Sequence, residues 1–214
     1  MKTNNENLFP LMIRLAGRKC VVIGAGNVAA AKIEGLLSCG AKVVVVGPRA
    51  ARRIREWGKA GDLVWRPRRF SARDLRGAFL AIAATDLPST NESVYRVCQA
   101  RKILCNSVDD PQHCDFFYPA VVRRGPLQIA ISTSGCSPAL AALLRKDLAR
   151  QFGPKWAAFV RLVGERRHEI LNTASSARRK KLLKQIAIPP KKLSPRLSRS
   201  KEVDGIQPRR HQRS

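Results

Sequence analysis

The most constraining stretch of this chain is the apolar run at residues 19–24 (KCVVIG), which passes directly into Gly24-Ala25-Gly26-Asn27-Val28-Ala29. A short apolar run that stops at glycine reads as a strand buried on both faces, and such strands belong to parallel sheets. Val28, Ala31, Ile33, Leu36 and Leu37 then recur at helical spacing until Gly40 stops the helix. The join is G-x-G-x-x-A between a strand and a helix. Gly24 permits the tight turn, Gly26 lets a phosphate approach the backbone, and Ala29 lets the helix lie close on the strand. The helix N-terminus adds free N–H groups and partial positive charge. Together these predict an α/β unit that binds a dinucleotide.

The pattern continues past this loop. Residues 42–46 (KVVVV), 63–66, 78–84 (AFLAIAA) and 103–106 read as four more buried strands, with a basic helix at 50–60 and a helix from Pro88 to Ala100 between them. Strands alternating with helices of this length form βαβ units and a parallel sheet. After Asn106 the pattern changes. Residues 116–122 and 127–132 flank Arg123-Arg124-Gly125-Pro126 and predict a hairpin. Ser137-Pro138 then caps a helix with Leu140, Leu143, Leu144 and Leu148 on one face. Further helices are expected after Pro154 and over 176–187. The expected class is α/β, a Rossmann-type parallel sheet followed by a β-hairpin element and a small helical domain. The expected segments are 1–112 (dinucleotide domain), 113–150 (hairpin plus helix, for dimerisation), 151–188 (helical) and 189–214 (a basic, disordered tail).

Charge is a second strong feature. The 214 residues hold 41 Lys and Arg against 15 Asp and Glu, a net charge of +26. Thirteen of those bases lie beyond Leu171 against only Glu202 and Asp204. Such a balance suits a polyanionic partner. Nucleic acid is disfavoured, because no Phe, Tyr or Trp follows Phe159 to stack on bases and no helix-turn-helix is evident. No apolar run approaches the roughly 20 residues of a membrane span. The polar start carries no signal-peptide core, so the chain is expected in the cytoplasm with its six cysteines as thiols.

Candidate site residues lie at the ends of the strands. The second strand runs into Val46-Gly47-Pro48-Arg49, with no acid to hold a ribose hydroxyl. Arg49 suits a 2′-phosphate, so the residues alone leave NAD and NADP open. Thr85 and Asp86 close the fourth strand and are expected to line the cofactor cleft. Asp109 follows the fifth strand, at the sheet edge where α/β sites form, and a carboxylate there can accept a proton. Asp110 is the second choice. Cys105, His113 and Cys114 lack metal-ligand spacing, so no resident metal is expected.

Several segments together resemble the precorrin-2 dehydrogenase family, the dehydrogenase and ferrochelatase module of siroheme synthase. They are Leu8-Phe9-Pro10-Leu11, Gly17-Arg18, the GAGNVAAAK loop from Gly24, AIAATD from Ala81, NSVD from Asn106, FFYPA from Phe116 and PLQIAISTSGCSPALAALL from Pro126. The resemblance covers roughly residues 8–165. It implies a homodimer that oxidises precorrin-2 to sirohydrochlorin with NAD. Asp109 matches the catalytic aspartate, and Asn27, Val28, Pro48 and Arg49 match dinucleotide-contacting positions; Gly24 and Gly26 of the phosphate loop and Thr85 and Asp86 beyond the fourth strand complete the expected cofactor-binding residues. Asn106, Thr133 and Ser134 are implied on the substrate side. Two alternatives stand beside this reading: an enzyme that also inserts Fe²⁺ into sirohydrochlorin, and a Rossmann redox sensor that binds nucleic acid.

Overall fold

The computed structural model describes residues 8–190 and Leu193. The expected basic tail from 189 lies almost wholly outside the described residues. The described residues divide into two compact units, Phe9–Tyr118 and those from Pro119 onward together with Leu8.

The first unit holds β1 (Lys19–Ile23), α1 (Asn27–Ser38), β2 (Lys42–Val46), α2 (Arg52–Ala60), β3 (Leu63–Arg66), β4 (Leu80–Ala83), α3 (Pro88–Arg101) and β5 (Leu104–Ser107). All four strand pairings are parallel and the order is β3-β2-β1-β4-β5. Alternation along β1 explains its unbroken apolar sequence. Cys20 and Val22 face one core with Ile33, Leu36, Val45 and Ile54. Val21 and Ile23 face the other core with Val94 and Cys98 of α3. Both faces are covered by helices, which is why no polar residue interrupts the strand. The connections from β1 lead to β2 on one side and, after β3, to β4 on the other. The order therefore reverses between β1 and β4, and a crevice opens at the carboxyl ends of these strands.

The second unit pairs β6 (Ala120–Arg124) with β7 (Leu127–Ile131) in an antiparallel hairpin turning at Gly125 (φ 57°). Three helices follow, α4 (Pro138–Gln151), α5 (Lys155–Thr173) and α6 (Ser176–Ile186). Ser137 caps α4 by accepting the N–H of Leu140 at 3.1 Å. Arg124 closes the other end of the same helix. It donates to the carbonyls of Ala149 (2.9 Å) and Phe152 (2.7 Å), which satisfies orphan acceptors and complements the helix dipole. Ala141 is buried, whereas Leu140, Leu143 and Leu144 stay 46%, 54% and 39% exposed. A two-stranded hairpin covers one side of α4 and leaves its leucine face bare. Among the described residues no helix is long and apolar enough to cross a membrane.

Candidate active site

The crevice at the β1–β4 reversal is a cleft of about 830 Å³ lined by Gly24, Gly26, Asn27, Val28, Pro48, Arg49, Thr85 and Asp86, among others. All eight expected cofactor-side residues thus meet around one space. The loop geometry separates the two glycines by role. Gly24 has φ 104°, and a side chain there would overlap the carbonyl of Ala84. Gly26 has an ordinary φ of −80° and a Cβ added to it would meet nothing within 4 Å. Its smallness serves no contact inside the protein and leaves an open cradle. The helix α1 that starts there has no side-chain cap and no acid in its first turn. Its first N–H groups are left for an anion. A dinucleotide pyrophosphate fits this donor set.

The far wall of the cleft is locked by a residue that the sequence reading passed over. Strand β4 ends at Ala83, so Thr85 and Asp86 stand in the loop beyond it rather than closing the strand. The amide oxygen of Asn91, buried in α3, accepts from the Thr85 backbone N–H (3.2 Å) and hydroxyl (2.7 Å), while its nitrogen donates to the Thr85 carbonyl (3.0 Å). The floor beside β3 is likewise built on a buried carboxylate, Asp74. It accepts from Arg66 (2.7 Å), twice from Arg68 (2.5 and 2.8 Å) and from the Ser71 N–H (3.0 Å). Burial by itself would raise its pKa, but the hydrogen bonds from Arg68, Ser71 and Arg66 outweigh it and leave the carboxyl below its ordinary range.

Asp109 stands after β5 in a tight loop. The N–H of Asp110 reaches the Ser107 carbonyl (3.3 Å), and Val108 donates to Ala83 (2.9 Å), the neighbour of cleft-lining Ala84. Asp109 occupies the left-handed region at φ 61° and is exposed. Few side chains adopt this backbone, and aspartate is one of them, held here at some conformational cost. Cys114 secures the loop from beneath, donating to the carbonyls of Ser107 (3.2 Å) and Asp110 (3.3 Å). Asn106 is buried, and its amide nitrogen donates to Cys114 Sγ (3.3 Å) and the Phe116 carbonyl (2.9 Å). Asp110 pairs with His113 Nδ1 at 2.5 Å, and the imidazole leans on Tyr95.

Lys32 is a third residue not singled out from sequence. From the second turn of α1, its Nζ lies 4.0 Å from the centre of the Tyr118 ring. Burial pushes its pKa down, opposed by the negative charge of Asp109. A half-buried cation thus shares the surroundings of the exposed aspartate. In the second unit, Thr133 and Ser134 lie in the loop before α4. Thr133 Oγ1 accepts the Ser137 N–H (3.1 Å), and Ser134, at φ 48°, donates its N–H to Ser132 Oγ (3.1 Å). Among the described residues no three His, Cys, Asp or Glu cluster as metal ligands.

Known proteins match both units. A family model described as putative NAD(P)-binding matches residues 11–120, and one described as sirohaem biosynthesis protein, central, matches 124–151. The siroheme synthase of Nitrosococcus oceani is 39% identical over 140 residues, which is 65% of this chain and 30% of that protein. That of Actinobacillus succinogenes is 35% identical over 174 residues, 80% of this chain and 37% of the relative. The chain therefore spans about a third of the length of these curated relatives. Among solved structures, SirC, a precorrin-2 dehydrogenase, superposes with a TM-score of 0.73 at 30% identity, covering 85% of this chain and 90% of SirC. The expected family is upheld: this chain is a member of the precorrin-2 dehydrogenase family of siroheme-biosynthesis proteins.

Proposed function

We propose that the protein is an NAD-dependent dehydrogenase that converts precorrin-2 to sirohydrochlorin. The observation that carries this reading is the placement of Asp109: a strained, exposed carboxylate on a loop tied to the rim of a dinucleotide cleft. A bound NAD⁺ supplies the hydride acceptor. Gly24, Gly26, Asn27 and Val28 hold the pyrophosphate, and the Thr85–Asn91 lock fixes the wall beside it. Asp109 takes at its carboxylate the proton that leaves the macrocycle as hydride departs, so that precorrin-2 and NAD⁺ give sirohydrochlorin, NADH and H⁺. Asn106 holds the Cys114–Phe116 segment beneath the loop and positions Asp109. Lys32 provides a cation for a carboxylated macrocycle, in keeping with a net charge of +26. Thr133 and Ser134 are proposed substrate contacts. The test is an assay with precorrin-2 and NAD⁺; absence of sirohydrochlorin formation refutes the reading.

The protein is further proposed to work as a homodimer through the bare Leu140, Leu143 and Leu144 face of α4, with residues 113–150 as the dimerisation element. The cytoplasm is its proposed compartment.

The Asp110–His113 pair favours a second reaction at the same loop, insertion of Fe²⁺ into sirohydrochlorin with loss of two pyrrole N–H protons. Two proton acceptors beside Asp109 suit that step. Sirohydrochlorin with Fe²⁺ or Co²⁺, without dinucleotide, decides it: insertion at the spontaneous rate removes this reading.

A further inference from the structure

The turn that presents Asp109 is closed by the Asp110 N–H, which reaches the Ser107 carbonyl at 3.3 Å. Asp109 is the third residue of that four-residue turn and has φ 61°. Such a backbone costs an aspartate some energy, so the turn persists only where its surroundings hold it. Cys114 supplies a hold from both ends. Its thiol lies within donating distance of the first carbonyl of the turn, Ser107 (3.2 Å), and of the last, Asp110 (3.3 Å). One S–H proton is thus shared between the two carbonyls that bracket Val108 and Asp109.

The sulfur is itself fixed. It accepts from the Asn106 amide at 3.3 Å, and Asn106 and Cys114 form an antiparallel bridge at the end of β5. The next residue ties down the same segment. The Asp115 N–H donates to the Cys105 carbonyl at 2.8 Å, and its carboxylate accepts the Cys105 N–H (2.8 Å) and the Gln99 amide (3.0 Å). Cys114 therefore stands against the sheet edge as a post to which the turn is fastened. Burial pushes its thiol pKa up, so at neutral pH the thiol keeps the proton that it donates. A protonated, half-buried thiol is a weak nucleophile and suits a donor's part.

We infer that Cys114 is a positioning residue for the dehydrogenation, its S–H clamping the turn at residues 107–110 so that the Asp109 carboxylate is aimed at the macrocycle. The inference rests on the reading of Asp109 as proton acceptor. Steady-state turnover of precorrin-2 with NAD⁺ by the full chain tests it in Cys114→Ala, Cys114→Ser, Asp109→Asn and the double variant with alanine at 114 and asparagine at 109. Asparagine tolerates the left-handed turn while removing the base. Cys114→Ala should lower kcat about tenfold and leave the KM for NAD⁺ unchanged. Cys114→Ser, whose hydroxyl can donate to the same carbonyls, should stay within about threefold of the wild-type kcat. In the Asp109→Asn background the loss of the thiol should cost less than about twofold, because a clamp that acts through Asp109 has nothing left to aim. A structural role elsewhere would slow both backgrounds alike. Wild-type kcat in Cys114→Ala, the same loss in both backgrounds, or a folded Cys114→Ser below about a tenth of wild-type kcat overturns the clamp and leaves the role of Asp109 standing. Turnover of Asp109→Asn at the wild-type rate overturns the reading of Asp109, and the clamp with it.

Discussion

Gly24 lies so close to the carbonyl of Ala84 that any side chain at position 24 would overlap that oxygen. The contact joins the ends of β1 and β4, between which the crevice opens. Gly24→Ala should cost about 2–4 kcal/mol, combining the strain of φ 104° with the overlap, and should appear as a lower urea midpoint. Gly26 faces open space, so Gly26→Asp should change stability by less than about 0.5 kcal/mol. The same variant should lose dinucleotide binding by calorimetry, because a carboxylate would stand where the pyrophosphate arrives.

Asp74 links stability to pH. Its folded-state pKa lies below the ordinary value near 3.9, so between the two the unfolded chain binds the extra proton. The stabilisation is complete above about pH 4–5 and is lost as pH falls through the lowered value. Asp74→Asn should flatten this acid limb. It should cost about 2–3 kcal/mol at neutral pH, less than a fully buried pair, since Arg66 and Arg68 are 40% and 48% exposed. Denaturation curves from pH 3 to pH 7 check both.

Asn91 is expected to matter to the cofactor without touching it. Asn91→Ala removes three hydrogen bonds to Thr85 and should destabilise by about 1–3 kcal/mol. Dinucleotide affinity should fall as the Thr85–Asp86 loop loosens. Calorimetry beside a melting curve separates the two effects, and unchanged affinity would remove Asn91 from the site.

The leucine face of α4 predicts assembly. Leu143 is 54% exposed in the single chain. Leu143→Glu should convert a dimer to a folded monomer by light scattering, with circular dichroism unchanged. A wild-type chain that is already monomeric contradicts the proposed interface.

Much of this was legible in the sequence, and the exceptions share a physical cause. The β1–α1–β2 unit announces itself because residues 20–24 and 43–46 are apolar throughout, and burial on both faces leaves no other strand pattern. Gly24 and Gly26 are readable as a motif, but their separate jobs emerge only once Ala84 is placed beside one of them. Asn91 and Asp74 were invisible because nothing in a helix or a short turn marks an amide or carboxylate that turns inward. Lys32 sits inside the motif, yet its significance depends on Tyr118, far along the chain. Arg124 reads only as a base in a turn, and its capping of α4 depends on Ala149 and Phe152, which the fold brings beside it.

The central claim is that Asp109 is the proton acceptor of dehydrogenation. Its left-handed backbone gives a sharp test, because glycine relieves that conformation while removing the carboxylate. Steady-state turnover of precorrin-2 with saturating NAD⁺ should fall about 10²–10⁴-fold in Asp109→Gly. Stability should be unchanged or higher by about 0.5 kcal/mol, and dinucleotide affinity should be retained. Turnover at the wild-type rate in that variant would contradict the account.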